Sequence, residues 1–285
     1  MGKNQTTPSE LHVYECWANQ PPRSEPSFEG YLGLWPETPF YYLFADRQVL
    51  SLVSEWVLEQ PGWSLRGRYS LDYDQWQESG NETLEIGSLR IVQGFAANNG
   101  DNSAKSIVLR RGLVFGSGLH ASTQACLLVI DRYRRQLQGA KVIDLGTGTG
   151  VLAIACAKLG AAGVVAVDCN PMAIREARIN IGINGLASRI EPVLALGLGA
   201  FRGHTDWLIM NLEYPVLTQL LQEGPWRRYP TVLLSGFLPT WWHELQRFVP
   251  PSHCLEYWLD WQRWCAALLR NPASGGREEP ATIPG

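Results

Sequence analysis

Three glycines at alternate positions mark the most informative segment of this chain, Val142-Ile-Asp-Leu-Gly-Thr-Gly-Thr-Gly150. An acid, Asp144, precedes them, and apolar residues at helical spacing follow from Val151 onward. Glycine lets backbone N–H groups approach a ligand closely, because no Cβ stands in the way. The helix that follows would point its positive end at the same place. The segment therefore predicts a strand, a glycine turn and a helix that together bind a nucleotide-type ligand.

A second acid, Asp168, ends the next predicted strand. It lies 22 residues after Gly146, close to the spacing of about 20 residues for carboxylates that bind a ribose. The glycine spacing G-x-G-x-G, with Asp144 in front, differs from the dinucleotide fingerprint G-x-G-x-x-G. We therefore expect S-adenosylmethionine rather than NAD, with contacts at Gly146, Gly148 and Asp168. A glycine turn that binds nothing is the alternative.

An amide side chain, Asn211, ends the apolar strand that begins at Trp207. Its carbonyl oxygen can accept a hydrogen bond from a substrate amine and so aim the nitrogen lone pair at a methyl group. Because methyl transfer depends mainly on positioning the two reactants, we assign Asn211 as the catalytic residue through orientation. Glu213, two residues further on, either attracts a cationic amine or is a solvated surface acid.

The segment from Arg111 to Thr123 combines glycines, a histidine and three hydroxyl side chains. This composition predicts a flexible polar loop that lies over the cofactor pocket, just before a helix. His120 in this loop could accept a proton, or it could serve only the structure of the loop.

From about residue 107 onward the sequence alternates between strand and helix patterns. This alternation favours a parallel sheet with helices on both faces. The predicted strands are Lys141–Leu145, Val164–Asp168, Ile190–Leu194, Trp207–Asn211, Thr231–Ser235, Leu255–Asp260 and Trp264–Leu269. Seven strands is the number in the mostly parallel sheet of class I methyltransferases. Ligands bind at the carboxyl ends of such strands, where Asp144, Asp168 and Asn211 all fall.

Residues 1–68 predict a small separate α+β domain, because strand-like alternation is followed by a helical pattern. The expected elements are strands at Leu11–Trp17, Tyr31–Trp35 and Phe40–Phe44, and a helix capped by Asp46 that ends before Pro61. We expect a linker at 69–106 with one strand, Leu89–Val92. A methyltransferase domain would follow at 107–270, with a disordered tail at 271–285.

Composition restricts the partners. A net charge of −3 and a pI of about 6.0 argue against binding driven by nucleic-acid phosphates. Six scattered cysteines without a C-x-x-C pair predict reduced thiols and no metal site. Neither a signal peptide nor a membrane span is evident, so we expect a cytoplasmic protein without membrane contact.

Twelve tryptophans are either core residues or the lining of a substrate groove. The sequence does not indicate an oligomeric state.

The motifs together resemble one family, the bacterial methyltransferases that modify ribosomal protein L-eleven of the large subunit. That family has a Phe-Gly-Thr-Gly loop followed by His-Pro-Thr-Thr, and this chain has Phe115-Gly-Ser-Gly-Leu-His-Ala-Ser-Thr123. The glycine segment and Asp168-Cys-Asn-Pro171 also match. The similarity runs from about Tyr73 to Leu269. Residues 1–68 match only loosely, and Asn211-Leu-Glu-Tyr214 replaces the Asn-Ile-Leu-Ala of the family.

The resemblance implies a small ferredoxin-like N-terminal domain that grips a ribosomal protein substrate. It implies S-adenosylmethionine contacts at Thr123, Gly146, Asp168 and Asn211, and methylation of lysine side chains or an N-terminal amine. A class I methyltransferase that acts on another protein or on a small amine is an alternative. A binding protein without catalysis is another.

Overall fold

The computed structural model describes residues 10–37, 39–72, 83–93, 105–110, 120–199, 201 and 203–274. The chain forms two compact units, Met1–Gly80 and Asn81–Gly285. Their boundary lies inside the expected linker, 69–106. Residues 69–72 finish the last strand of the first unit, and residues 83–93 form strands that pack in a core of the second unit. The segment therefore contributes strands to both units, where we had expected a polar connection with a single strand.

The first unit contains a four-stranded antiparallel sheet. Its strands are β1 (Glu10–Trp17), β2 (Tyr31–Glu37), β3 (Phe40–Ala45) and β4 (Ser64–Asp72), in the spatial order β2-β3-β1-β4, with helix α1 at Leu50–Glu59. The first three strands and the helix are as predicted. The sequence reasoning missed β4, which lies at the edge of the sheet. Polar and charged residues are tolerated at an edge, so the alternation of apolar and polar residues that indicates a strand is weak there.

The order and direction of these strands are those of a ferredoxin-like domain. β1 and β2 run in the same direction with β3 between them, antiparallel to both. Helix α1 connects β3 to β4, but residues 18–30, which connect β1 to β2, contain no helix. This connection is held against α1 instead, because the indole N–H of Trp56 donates to Ser24 O and the Arg23 N–H donates to Gln60 Oε1. The unit is thus ferredoxin-like with one helix where that fold has two.

Helix α1 begins at Leu50, so the prediction that Asp46 caps it was wrong. The carboxylate of Asp46 pairs with the neighbouring Arg47, and Val49, the residue before the helix, receives no side-chain cap. The backbone N–H of Val49 donates instead to the hydroxyl of Tyr14 on β1, at 2.8 Å. A contact between residues 35 positions apart therefore fixes the start of the helix.

The second unit is built on a seven-stranded sheet. Its strands are β8 (Lys141–Leu145), β9 (Gly163–Asp168), β10 (Ile190–Leu194), β11 (Trp207–Asn211), β12 (Thr231–Phe237), β13 (Cys254–Trp261) and β14 (Trp264–Arg270). They lie in the order β10-β9-β8-β11-β12-β14-β13, with β14 antiparallel to both of its neighbours and the other pairs parallel. All seven predicted strands are confirmed within two residues at each end.

Helices cover both faces of this sheet, as expected. One core contains residues of α2 (Ala121–Arg132), α4 (Val151–Lys158) and α5 (Pro171–Ile183), with the short α3 (Arg134–Leu137) following α2. The opposite core contains residues of α6 (Tyr214–Glu223) and α7 (Trp242–Leu245). Because both faces are buried, the central strands are mostly apolar, and every residue of β12 is buried.

A second, three-stranded sheet adds to the first of these cores. It consists of β5 (Thr83–Ile86), β6 (Leu89–Gln93) and β7 (Ser106–Leu109), with β6 antiparallel to β5 and parallel to β7. Only β6 was predicted, because β5 and β7 have four residues each and such short runs give no clear period. Ile91 and Ile107 bury their side chains against the helices.

At the other end of the chain, Pro272–Ser274 form a short 3-10 turn, and the rest of the expected tail lies outside the described residues. Over the part of the chain that the structure describes, no helix has the length and apolar character needed to cross a bilayer.

The Tyr14–Val49 contact generates a stability prediction. Tyr14→Phe keeps the buried ring but leaves the Val49 N–H at the helix start without an acceptor. We expect the free energy of unfolding to fall by about 1–2 kcal/mol, measured by chemical denaturation. Asp46→Ala is the matched control and should change it by less than about 0.5 kcal/mol, since surface ion pairs contribute little. A larger loss for Asp46→Ala than for Tyr14→Phe would restore Asp46 as the cap.

Candidate active site

The glycine turn follows β8 and leads into α4, at the carboxyl edge of the seven-stranded sheet. Gly146, Gly148 and Gly150 all have positive φ, at 76°, 54° and 85°, a conformation that side chains disfavour. The N–H groups of Gly146 and Thr147 both donate to Val167 O on β9, at 2.8 and 2.9 Å. The turn is therefore tied to the neighbouring strand by backbone bonds.

Leu212, the residue after β11, lies between two glycines. A Cβ added at Gly146 would overlap the Leu212 side chain, and one added at Gly236 in β12 would overlap the Leu212 backbone carbonyl. The Leu212 N–H also donates to Ser235 O at 3.3 Å. Close backbone approach is thus required at both glycines, and it brings the ends of β8, β11 and β12 together.

Asp144 is buried beneath the glycine turn and is hydrogen-bonded to it. Its carboxylate is 1% exposed and accepts hydrogen bonds from the Thr147 hydroxyl at 2.6 Å and the Ala153 N–H at 3.2 Å. Burial raises the pKa of Asp144 to about 6, although both hydrogen bonds favour the ionised form and act against this shift. The acid therefore organises the turn and the start of α4, and it is too deeply buried to face a ligand.

Asp168 lies at the end of β9, beside the same turn. Its Oδ2 accepts the Gly148 N–H at 3.0 Å and its Oδ1 accepts the Asn170 N–H at 2.9 Å. Burial raises the pKa of Asp168, and the backbone hydrogen bonds partly counter that rise. An acid at this position thus has a structural use even without a ribose, which the sequence reasoning had not considered. Each oxygen retains a further lone pair that could accept a hydroxyl.

Asn211 lies at the end of β11, where the sequence placed it. Its amide nitrogen donates to the Thr123 hydroxyl of α2 at 3.2 Å, and Thr123 itself is buried. The carbonyl oxygen Oδ1 of Asn211 is buried and has no hydrogen-bond partner among the described residues. Since buried polar atoms are rarely left unpaired, this oxygen is a candidate acceptor for a ligand. The structure thus brings Asn211 and Thr123 together across 88 positions of sequence.

The first turn of α2 contains residues that we had assigned to a loop. The helix begins at Ala121, and His120 caps it by accepting the Ser122 N–H at Nδ1, 3.3 Å away. The ring of His120 also packs edge-on against Trp264, with 4.6 Å between centroids. Partial burial lowers the pKa of His120. Residues 111–119 of the predicted loop lie outside the described residues.

An aromatic and acidic cluster beside Asn211 was missed by the sequence reasoning. Tyr214 begins α6, packs against Trp241 with 4.5 Å between ring centroids, and donates its hydroxyl to Glu244. Glu213 is exposed at the start of the same helix. The tryptophan count and the Asn211-Leu-Glu-Tyr214 segment were the only signals of it in the sequence. The interpretation of the tryptophans as core residues is confirmed in part, and their interpretation as the lining of a substrate groove stays a prediction. Trp242 and Trp258 pack on Phe237 in the core, whereas Trp241 lies near the site.

Within the described residues, no three His, Cys, Asp or Glu side chains are placed to hold a metal ion. The donor set fits S-adenosylmethionine instead. Gly146 and Gly148 shape the turn beside Asp168, Asp168 offers a carboxylate for hydroxyls, and the Asn211 oxygen is a buried acceptor with no hydrogen-bond partner in the part of the chain that the structure describes.

Comparison with a solved structure supports the class that this sheet and site define. A crystal structure of a ribosomal protein L11 methylase from Lactobacillus delbrueckii subsp. bulgaricus aligns with a TM-score of 0.59 and 25% identity, over 67% of this chain and 98% of that one. The second unit therefore has a class I methyltransferase fold. The sequence profile of the ribosomal protein L11 methyltransferase (PrmA) family matches residues 58–271, and the chain belongs to that family.

Individual relatives give the same result. A ribosomal protein L11 methyltransferase of Pelotomaculum thermopropionicum is 39% identical over 129 residues, which is 45% of this chain and 41% of that protein. One from Sorangium cellulosum is 30% identical over 217 residues, 73% of this chain and 64% of that protein. The chain thus matches about two fifths to two thirds of the length of these relatives.

The raised pKa of Asp144 predicts a pH dependence of stability. The native state binds this proton more tightly than the unfolded state, so the contribution of Asp144 to stability falls as the pH rises from about 4 to about 6. From the ordinary value of 3.8 to about 6, the change is about 3 kcal/mol at about 1.4 kcal/mol per pKa unit. Asp144→Asn removes this titration. Denaturation between pH 4 and pH 7 should show the variant gaining stability relative to the unsubstituted chain, and parallel pH profiles would contradict the assignment.

Proposed function

We propose that this chain is an S-adenosylmethionine-dependent methyltransferase that modifies amino groups of a large-subunit ribosomal protein, L11 by family membership. The acceptors would be lysine side chains or an N-terminal amine. One observation carries the proposal, namely the buried carbonyl oxygen of Asn211, which has no hydrogen-bond partner among the described residues and which Thr123 holds at the carboxyl edge of the sheet. An acceptor atom in that position suits an amine that still carries a hydrogen.

The cofactor would be held by Thr123, Gly146, Gly148, Asp168 and Asn211. When bound, it would supply a methyl group on a sulfonium, which is a good leaving group. The ribose hydroxyls would bind the free lone pairs of Asp168, whose two oxygens are already oriented by the Gly148 and Asn170 N–H groups. The carboxylate is thus positioned before any ligand arrives, which limits the ordering cost of binding.

Asn211 would orient the acceptor amine. The Thr123 hydroxyl fixes the amide nitrogen of Asn211, so the carbonyl oxygen faces the other way and can accept an amine hydrogen. Positioning of this kind can contribute up to about 7–11 kcal/mol to a bimolecular reaction. A lysine has a pKa of about 10.4 in water, and desolvation beside a cation would lower it. A dedicated base is therefore not required.

His120 is better explained as a helix cap than as a base. Its Nδ1 already accepts the Ser122 N–H and lies 2.8 Å from the Ser122 hydroxyl. Glu213 is exposed and would attract a cationic amine at longer range.

The first unit would contact the substrate protein through the sheet face that points away from α1. This face carries six aromatic side chains, those of Trp17, Trp35, Phe40, Tyr42, Phe44 and Tyr69.

A direct assay tests the proposed function. The purified chain would be incubated with radiolabelled S-adenosylmethionine and, separately, with ribosomal protein L11, total large-subunit proteins and a bacterial lysate. We expect label in a single ribosomal band that loses it when the lysines and the N-terminal amine of L11 are chemically blocked. Label in another protein or in a small amine would support the alternative class I activity. No transfer to any of them, with cofactor bound, would indicate a binding protein.

Asp168 should control cofactor affinity. Asp168→Ala removes the ribose acceptor and the two backbone bonds, and Asp168→Asn keeps one acceptor without the charge. We expect affinity for S-adenosylhomocysteine, measured by calorimetry, to fall on the order of 100-fold for Asp168→Ala, since hydrogen bonds to charged groups contribute about 1.5–3 kcal/mol each. Asp168→Asn should lie between. Unchanged affinity in a folded Asp168→Ala variant would refute the ribose role.

Asn211 should control turnover more than binding. Asn211→Ala removes the acceptor that orients the amine, and we expect kcat to fall on the order of 100-fold, with less than about threefold change in cofactor affinity. Thr123→Val removes the hydroxyl that holds Asn211 and should give an intermediate loss in kcat. Equal losses in kcat and cofactor affinity would show that Asn211 is a cofactor contact and nothing more.

A further inference from the structure

Asn180, in the middle of α5, is fully buried, with 0% of its surface exposed. Its amide nitrogen donates to the carbonyl of Thr149 at 2.9 Å, and its amide oxygen accepts the backbone N–H of Arg110 at 2.8 Å. The two partners lie 31 positions and 70 positions away in sequence. One side chain therefore joins three separate segments of the second unit.

Thr149 belongs to the glycine turn. Gly150, next to it, packs against Ala177, one turn before Asn180 on the same face of α5, with 3.3 Å between the Ala177 Cβ and a Cβ built at Gly150. The other side of the turn is held by Asp168, through the Gly148 N–H. The turn is thus held on one side by Asp168 and on the other by the Asn180 amide. The bond from Asn180 fixes the direction of the Thr149 carbonyl.

Arg110 directly follows β7. Besides the backbone bond to Asn180, its guanidinium forms two bonds to the buried carboxylate of Glu176, at 3.2 and 2.7 Å. Asn184, one turn after Asn180, both donates to Val108 O at 2.7 Å and accepts the Val108 N–H at 3.0 Å. The side chains of Asn180 and Asn184 therefore hydrogen-bond to the backbone of residues 108 and 110, as the backbone of a neighbouring β-strand would.

We propose that Asn180 is a positioning residue of the cofactor site, which sets the glycine turn and couples it to the chain at Arg110. The proposal rests on the proposed function, because it concerns the same cofactor. Asparagine suits the position because it offers a donor and an acceptor at once. Aspartate could accept the Arg110 N–H but could not donate to Thr149 O, and leucine could do neither.

Two neighbouring substitutions separate positioning from stability. Asn180→Asp keeps the Arg110 bond and removes the donor to the glycine turn. Asn184→Ala is the matched control, because it removes two bonds to Val108 and one to the backbone carbonyl of Asn180, but none to the turn. We expect S-adenosylhomocysteine to bind Asn180→Asp roughly five- to tenfold more weakly, and Asn184→Ala with unchanged affinity. Affinity is measured by calorimetry well below each melting temperature, with thermal unfolding recorded for both variants.

Amide hydrogen exchange in the unsubstituted chain gives a second test that needs no mutation. If Asn180 couples the turn to Arg110, bound S-adenosylhomocysteine should slow exchange of the Arg110 amide more than that of the Val108 amide, which is bonded to Asn184. Equal slowing of the two amides would overturn the proposal, and so would full affinity in a folded Asn180→Asp variant. Failure of the unsubstituted chain to bind S-adenosylhomocysteine at all would instead overturn the proposed function.

Discussion

The contact between Leu212 and two glycines is the constraint on which the rest of the site depends. Leu212 follows β11, and it lies where side chains at Gly146 and Gly236 would otherwise stand. Three strand ends can meet closely only because both positions lack a Cβ. This closeness sets Asn211, one residue earlier, within 3.2 Å of Thr123 and leaves its carbonyl oxygen buried, with no hydrogen-bond partner in the part of the chain that the structure describes. The orientation proposed for Asn211 follows directly from this packing.

Most polar groups at the carboxyl edge already have structural partners. Asp144 and Asp168 organise the glycine turn, His120 caps α2, and Asn180 bonds Thr149. Because these groups are held before a ligand binds, the site is preorganised in the sense that favours transfer by positioning. The Asn211 oxygen differs from them, since it is buried and unbonded among the described residues. That difference supports a catalytic use of Asn211 and argues against proton transfer through the capping nitrogen of His120.

Family membership and the fold of the second unit agree, whereas the family match covers little of the first unit. The matched region begins at residue 58, so most of the ferredoxin-like sheet lies before it. The crossover at 18–30 has no helix, and the sheet face away from α1 carries six aromatic residues, Trp17, Trp35, Phe40, Tyr42, Phe44 and Tyr69. Beside Asn211, Tyr214 packs against Trp241.

The sequence alone determined the seven strands, the glycine turn and the residues Asp168 and Asn211, because buried parallel strands and glycine turns have local signatures. It could not reveal β4, β5 and β7, whose short or polar sequences become strands only beside their neighbours. It placed the start of α1 at Asp46, whereas a hydroxyl from β1 decides it. The pairing of Asn211 with Thr123 and the reach of Asn180 to Arg110 were also settled by tertiary structure. Such contacts join residues 70 to 88 positions apart, and no local pattern encodes them.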